Sequence, residues 1–274
     1  MPEMPEVETV RRTLLDLVKG KTVKQVTVLW PKMIKKPDDA KEFQELLRGQ
    51  TIRDVGRRGK FLLLILDDYV LVSHLRMEGR YALHQHGDEQ DKHHHVMFQF
   101  TDGTELRYKD VRKFGTMHLF KKGMEQTELP LSQLGPEPFQ EEFTPGYLAE
   151  KLKKTKRFIK TVLLDQRVVV GLGNIYVDEA LFRAGILPER EASSLNEIEI
   201  QKLHNEIAAT LLEAINSGGS TIRSYVNSQG QIGSFQQKLY VYGRKGEPCK
   251  RCGSEIFKKT VSGRGTHYCK NCQK

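Results

Sequence analysis

The chain has four cysteines, placed as Cys249-x2-Cys252 and Cys269-x2-Cys272 with sixteen residues between the pairs. Two close pairs at this spacing read as a zinc site. Each pair brings two thiolates, and four thiolates complete a tetrahedral shell with no position left for a substrate. A metal held this way is structural. Two disulfides or free thiols are the alternatives, although all four cysteines lie in the last 26 residues, which argues against disulfides spread through the fold. Between the pairs, "SEIFKKTVSGRGTHY" reads as two strands joined by a glycine turn. The ribbon carries Lys250, Arg251, Lys258, Lys259, Arg264 and Lys270, a cation density that suits a polyanion.

Other candidate chemistry is more dispersed. "RVVVGLGNIYVDEA" holds Gly171 and Gly173, but a dinucleotide fingerprint needs a third glycine where Tyr176 stands. What remains is a glycine turn before a helix. Its amides can cradle a phosphate with help from Asn174, or it is a plain tight turn. Just upstream, "KLKKTKRFIK" packs six cations into ten residues and reads as a surface for a phosphate backbone, against the commoner solvated helix face. "RRGKF" puts Lys60 at the start of an apolar strand; a partly buried lysine there has a lowered pKa suited to proton transfer, against the commoner reading of a surface lysine at a strand end. "HHH" at 93–95 gives no metal site, because successive strand residues face opposite ways. Pro2 and Glu3 stand directly behind the initiator, where termini ordinarily fray.

The elements that must position these residues change character along the chain. "PEVETVRRTLLDLVKG" reads as a helix with Pro5 in its first turn, Val7, Val10, Leu14 and Leu17 on one face, and Gly20 as its stop. "KQVTVLW", "KFLLLILDD", "YVLVSHLRM", "HVMFQF" and "ELRYKDV" read as strands, with an Asp-Gly hairpin turn in "TDGT". They predict an antiparallel sandwich or barrel over residues 1–130. Residues 131–146 close a Pro-, Gly- and acid-rich linker. Residues 147–235 turn helical, with a capping box at Ser194-x-x-Glu197 and an apolar stripe of Ile200, Leu203, Ile207 and Leu211. A polar, glycine-rich loop spans 217–235, and 236–274 is the ribbon. The predicted class is a multidomain α+β protein.

A net charge of +9 over 274 residues favours nucleic acid as partner. No apolar run reaches membrane-spanning length and no secretory signal opens the chain, so a cytoplasmic location is expected.

Together these segments resemble the formamidopyrimidine-DNA glycosylases, bacterial repair enzymes that remove oxidised purines such as 8-oxoguanine. The resemblance rests on "PEMPEVETVRR", "RRGKF", "SHLRMEGR", "RYKDVRKFGTM", "LGPEP", "GLGNIYVDEALFRAGI" and "CKRC…GRGTHYCKNC", which span nearly the whole chain. Met4 stands where leucine is expected, a volume-conserving change. The resemblance implies an N-terminal β-sandwich, a helix–two-turn–helix unit around 155–187, a zinc ribbon with one structural Zn2+, and DNA in a basic cleft between the domains. It implies that Pro2, freed of Met1, attacks the sugar C1′, that Glu3 serves as acid and base, that Lys60 donates a proton in β-elimination, and that Arg264 grips phosphate and assists δ-elimination. It further implies that Met77, Arg112 and Phe114 fill the void left by the flipped base. His93, Lys153 and Asn174 would contact DNA, and Glu78, Ser220 and Ser224 would read or cover the lesion. For Met77 and Phe114 a core position is the alternative. The implied partner is double-stranded DNA with oxidised bases or abasic sites, bound by a monomer. An endonuclease VIII-like enzyme for oxidised pyrimidines and a non-catalytic zinc-ribbon protein that binds damaged DNA are the rival readings.

Overall fold

A computed structural model describes residues 1–220 and 233–274. Ser224 and most of the 217–235 loop lie outside the described residues. Two compact units emerge, the first holding Met1–Gln133 and the second Leu134–Ser220 with Ser234–Lys274.

The first unit opens with α1 (Met4–Val18). Glu3 is its N-cap. The Glu3 carboxylate accepts the Glu6 N–H, and Glu6 Oε2 accepts the Glu3 N–H at 2.8 Å, so two backbone donors at the helix start are satisfied reciprocally. Val7, Val10, Leu14 and Val18 line the buried face, with Leu17 only partly covered. Nine strands and a short helix follow in the order β1 (Val23–Val28), β2 (Ile34–Lys36), α2 (Ala40–Leu47), β3 (Asp54–Arg58), β4 (Phe61–Ile65), β5 (Tyr69–His74), β6 (Arg80–Gln85), β7 (His94–Phe100), β8 (Thr104–Lys109) and β9 (Thr116–Lys121). They form a four-stranded sheet in the order β1-β7-β8-β6 and a five-stranded sheet in the order β2-β9-β5-β4-β3. Pairing is antiparallel except between β2 and β9, which run parallel. Alternate side chains of both sheets, such as Leu62 and Leu64 on one and Val96, Phe98 and Leu106 on the other, join α1 in a single core. Each such fully buried side chain contributes roughly 1.5–3 kcal/mol.

The second unit contains α3 (Pro145–Lys153), α4 (Ile159–Leu164), α5 (Asn174–Ala184), α6 (Glu197–Asn216) and a hairpin of β10 (Phe257–Val261) and β11 (Arg264–Tyr268). The predicted stripe Ile200, Leu203, Ile207 and Leu211 on α6 is buried. Its cap differs from the sequence expectation. Asn196 and Glu199 form the capping box, with reciprocal bonds of 2.9 Å, because Ser194 belongs to a separate short turn, Ala192–Ser194, and α6 starts only at Glu197.

Helix α5 is buried from Tyr176 to Phe182 and carries two adjacent carboxylates into that interior. Asp178 accepts from Lys160 Nζ at 2.6 Å and from the His267 N–H of β11 at 2.8 Å. Glu179 accepts three backbone N–H groups, from Tyr240, Val241 and Tyr242, at 2.8–2.9 Å. The hairpin and the segment leading into it are therefore hung on one helix. Lys160 is fully buried, so one of the six cations of "KLKKTKRFIK" belongs to the interior and not to a phosphate-binding surface. The motif that looks uniformly superficial in sequence has its last cation drawn inward by Asp178.

Removing one partner from a buried ion pair typically costs about 3–5 kcal/mol. Lys160→Met should lower the second unit's resistance to urea by that order, read as an earlier loss of helical circular dichroism. Parent-like unfolding would show that the pair carries no net stabilisation.

Candidate active site and metal centre

Lys60 occupies a two-residue turn, since Arg58 pairs with Phe61 across β3 and β4. It is only 6% exposed. Phe61 pairs with His74 at the end of β5, and His74 pairs with Thr116 at the start of β9. Three segments therefore meet at one end of the five-stranded sheet: the Lys60 turn, the chain leaving β5 through Arg76, Met77 and Glu78, and the chain entering β9 from Arg112 and Phe114. The start of α1 is tied to the same end. Arg57 donates to Glu8 Oε2 at 3.2 Å and to the Gly59 carbonyl at 2.9 Å. Burial pushes the Glu8 carboxyl up, but Arg11, Arg12 and Arg57 outweigh it and hold it below the ordinary carboxylate range. Pro2 and Glu3 are buried ahead of it, while Met1 remains 49% exposed.

His74 was not singled out from sequence. Its ring meets Phe61 edge-on at 4.6 Å, and its Nδ1 accepts the Arg76 N–H at 2.9 Å. Burial, with Arg76 and Lys60 adding positive charge alongside, brings the imidazole down to about 3. It is a neutral acceptor that fixes where the chain turns toward Met77.

Two loops present apolar and cationic tips. Met77, Glu78, Arg112 and Phe114 are all exposed, and the Arg112 guanidinium lies 4.6 Å from the Phe114 ring centre. For Met77 and Phe114 this removes the core alternative. Asp110 organises the second loop. Its buried carboxylate accepts the N–H groups of Arg112, Phe114 and Gly115 at 2.8–3.0 Å. Its own N–H is donated to the His93 carbonyl at 3.0 Å, which places His93 beside this loop. Tyr108 joins the two loops from below. A Cβ on Gly79 would lie 2.0 Å from the Tyr108 hydroxyl oxygen, and one on Gly115 would lie 1.9 Å from it. Only glycine allows either loop to settle this closely on the ring. Asp110 and Tyr108 are further positions that sequence reasoning missed.

In the second unit the four Cys Sγ atoms all lie within 4.8 Å of one another, with Cys249–Cys272 at 3.9 Å and Cys252–Cys269 at 3.5 Å. A tetrahedral zinc bonded to sulfur at about 2.3 Å keeps its ligands about 3.8 Å apart, so the cluster fits that ion. Hydrogen bonds from Ser254 bring the Cys252 thiol down to about 6, and the Arg251 N–H points at Cys249 Sγ at 3.4 Å. Burial and the neighbouring thiols push Cys269 and Cys272 up, so the set becomes four thiolates only when a cation joins it.

The hairpin tip is a two-residue turn in which Ser262 and Gly263 take φ of 47° and 74°, the backbone that matches strand twist. Arg264 follows it, exposed. The next carbonyl, that of Gly265, accepts from Asn174 Nδ2 at 2.8 Å and Lys160 Nζ at 3.3 Å. Asn174 is thus brought to Arg264, with its amide engaged by the hairpin. The Gly171 N–H is donated to Gln166, whose amide also holds the Leu164 and Leu172 carbonyls, so the glycine turn is braced by a residue that sequence reasoning passed over. Of the ribbon's six cations, Lys250, Arg251, Lys259 and Lys270 lie on aromatic faces. Lys258 and Arg264 flank Gly265, and neither meets a carboxylate among the described residues. Lys153 is exposed at the end of α3, and Ser220 is buried.

Comparisons with known proteins extend over the same segments. Residues 1–117 match a family described as the formamidopyrimidine-DNA glycosylase N-terminal domain, 134–226 the formamidopyrimidine-DNA glycosylase H2TH domain, and 246–274 a zinc finger found in FPG and IleRS. The formamidopyrimidine-DNA glycosylase of Bacillus licheniformis is 68% identical over 274 residues, the full length of both chains. That of Bacillus subtilis is 65% identical over 273 residues, covering 100% of this chain and 99% of the other. The fold is similar to Lactococcus lactis Fpg solved with DNA containing N7-benzyl-Fapy-dG, at a TM-score of 0.93 and 44% identity over 99% of each chain. A complex of the same protein with DNA containing an abasic site matches at 0.93 and 44%, again over 99% of each chain.

Two outcomes test this geometry. Gly115→Ala should destabilise the first unit by about 1–3 kcal/mol through overpacking on Tyr108, seen as an earlier urea midpoint in the emission of Trp30. A parent-like midpoint would mean the ring yields freely. His74 is neutral when folded down to about pH 3 and titrates near 6.5 when unfolded, so the unfolded chain takes up the proton first. Stability conferred by this group is complete above pH 6.5 and is lost as pH falls toward 3. His74→Asn should flatten the fall in the unit's stability between those limits; an unchanged slope would assign it to other groups.

Proposed function

The chain belongs to the formamidopyrimidine-DNA glycosylase family, and on that premise we propose that this DNA repair glycosylase is bifunctional. It excises oxidised purines, 8-oxoguanine and formamidopyrimidines, and then cleaves the abasic strand. The observation that carries the reading is the convergence at one sheet end of the buried Lys60 turn, the loops bearing Met77, Arg112 and Phe114, and the start of α1 held through Glu8, Arg57 and Gly59.

The chemistry follows from what each group can do. Once Met1 is removed, Pro2 presents a secondary amine whose pKa lies near 8, so a useful fraction is neutral at working pH. Its lone pair forms a bond to C1′ as the C1′–N bond to the base breaks and the base leaves with that electron pair and a proton. Ring opening gives an iminium, cationic without further proton loss. That cation acidifies the C2′ proton. Its removal gives the enamine, with a C1′–C2′ double bond; the enamine then collapses back to an iminium, its electron pair forming a C2′–C3′ double bond as the C3′–O bond breaks and the 3′ phosphate leaves. A second elimination expels the 5′ phosphate. Glu3, held by its cap with Glu6, serves as acid and base. Lys60 delivers the proton in the first elimination, and Arg264 grips phosphate and assists the second. Met77, Arg112 and Phe114 occupy the space vacated by the extruded nucleotide. His93, Lys153 and Asn174 contact the backbone, and Glu78 and Ser220 contribute to lesion recognition. Cys249, Cys252, Cys269 and Cys272 hold a zinc ion that closes the ribbon and takes no part in bond cleavage. The protein acts as a monomer, in the cytoplasm, on double-stranded DNA.

Borohydride reduction of a reaction on abasic DNA tests the nucleophile. Protein with a free Pro2 should be trapped covalently, and protein with an uncleavable N-terminal extension should give no adduct. Equal trapping of both would move the nucleophile elsewhere. A panel of duplexes with single lesions separates the oxidised-purine reading from a pyrimidine preference.

A further inference from the structure

Four cations gather in the first unit beside one of the exposed tips. Lys32, Lys35, Arg76 and Lys113 line a depression of about 380 Å3 whose remaining wall is Phe114, Gly115 and Thr116. All four are exposed, and none pairs with a carboxylate among the described residues. Like charges at this density repel one another and lower the unit's stability unless something anionic joins them.

The arrangement is built with some strain. Arg76 and Lys113 take φ of 55° and 59°, two of the three non-glycine residues with positive φ among the described residues. Such a conformation costs about 1 kcal/mol or more for a residue with a Cβ and persists only where its surroundings enforce it. Here they do. His74 Nδ1 holds the Arg76 N–H, and Asp110 holds the N–H groups on both sides of Lys113. Each left-handed cation directly precedes an exposed apolar residue, Met77 in one loop and Phe114 in the other. Trp30 fixes two more directions, with Lys113 Nζ 4.0 Å and Lys32 Nζ 5.8 Å from its ring. His118 offers no compensation. Burial and the charge of Lys35 and Arg76 bring it down to about 4.

We propose that this depression binds one backbone phosphate of the duplex, and that the phosphate ties the loops of Met77 and Phe114 together while they occupy the DNA. The site rests on the reading of the chain as a DNA glycosylase. A phosphate reaches both loops at once, because Arg76 comes from one and Lys113 from the other. It therefore acts where neither loop's own hydrogen bonds extend. Both a DNA phosphodiester and free phosphate share this chemistry; the depression's place beside the DNA-facing tips favours the former.

The test uses a duplex with an uncleavable tetrahydrofuran abasic site in which single phosphates are replaced, one position at a time, by neutral methylphosphonates. The full-length parent should lose roughly three- to tenfold in affinity at one position that the double variant Lys35→Gln/Lys113→Gln no longer senses. On unmodified DNA the variant's salt dependence should fall by about 0.9 in log–log slope for each phosphate it no longer neutralises. Trp30, the single tryptophan, should change its emission when the parent binds DNA. The same change with millimolar inorganic phosphate alone would reassign the site to a free anion and overturn the proposal. Identical methylphosphonate profiles for parent and variant also overturn it, leaving the glycosylase reading intact. A parent that fails to bind the abasic duplex at all overturns both.

Discussion

Asp178 is a carboxylate with no access to water, and the second unit is arranged around satisfying it. A buried charge is tolerated only when paired and hydrogen-bonded. Lys160 supplies the charge and His267 the N–H, and these come from α4 and β11. One residue of α5 thereby fixes both its preceding helix and the four-cysteine hairpin. Glu179, one residue on, does the same for the chain entering the ribbon through three N–H groups. Burial still raises the Glu179 pKa, so desolvation outweighs even three donors. An apolar contact would hold these parts together as strongly but would not specify a register. The register matters because Arg264 sits one residue before the Gly265 carbonyl that Asn174 and Lys160 hold.

The first unit uses the same device on loops. Asp110 gathers three N–H groups and Glu8 gathers three arginines. Asp110 satisfies N–H groups that regular structure leaves open and so fixes an irregular loop, while Glu8 ties the start of α1 to β3 through Arg57. The four cysteines converge at the ribbon's other end, their Sγ atoms within 4.8 Å of one another, and set the hairpin's root, while the carboxylate network sets its tip.

Much of this architecture is legible in the sequence. The zinc spacing, the ribbon turn, helix α1 and the strongest strands are local signals, and local signals survive in sequence. Strands β2, β3, β6 and β9 and helix α2 were not anticipated, because "DVGRR" and "RYALHQ" are half polar and draw their strand character from neighbours far along the chain. The α6 cap sits at Asn196 rather than Ser194 because a separate short turn takes up Ala192–Ser194 before the helix begins. Lys160 is the sharpest case. Six cations in ten residues look alike in a string, and only a carboxylate eighteen residues on distinguishes the one that is buried. Pro2, Glu3, Lys60 and Arg264 could be named by resemblance. Asp110, Tyr108, Gln166 and His74 could not, since their task is to orient other residues and a single sequence does not display that.

The pinch of Gly79 and Gly115 on Tyr108 bears on how this sequence can drift. A larger residue at either glycine collides with the ring, and a smaller residue at 108 leaves a void beneath both loops. No first step away from the trio is neutral, although a joint replacement of all three would fill the space as well. The positions form an epistatic lock. Lineages carrying it should exchange residues 79, 108 and 115 together or keep all three, whatever happens to the tips that they support.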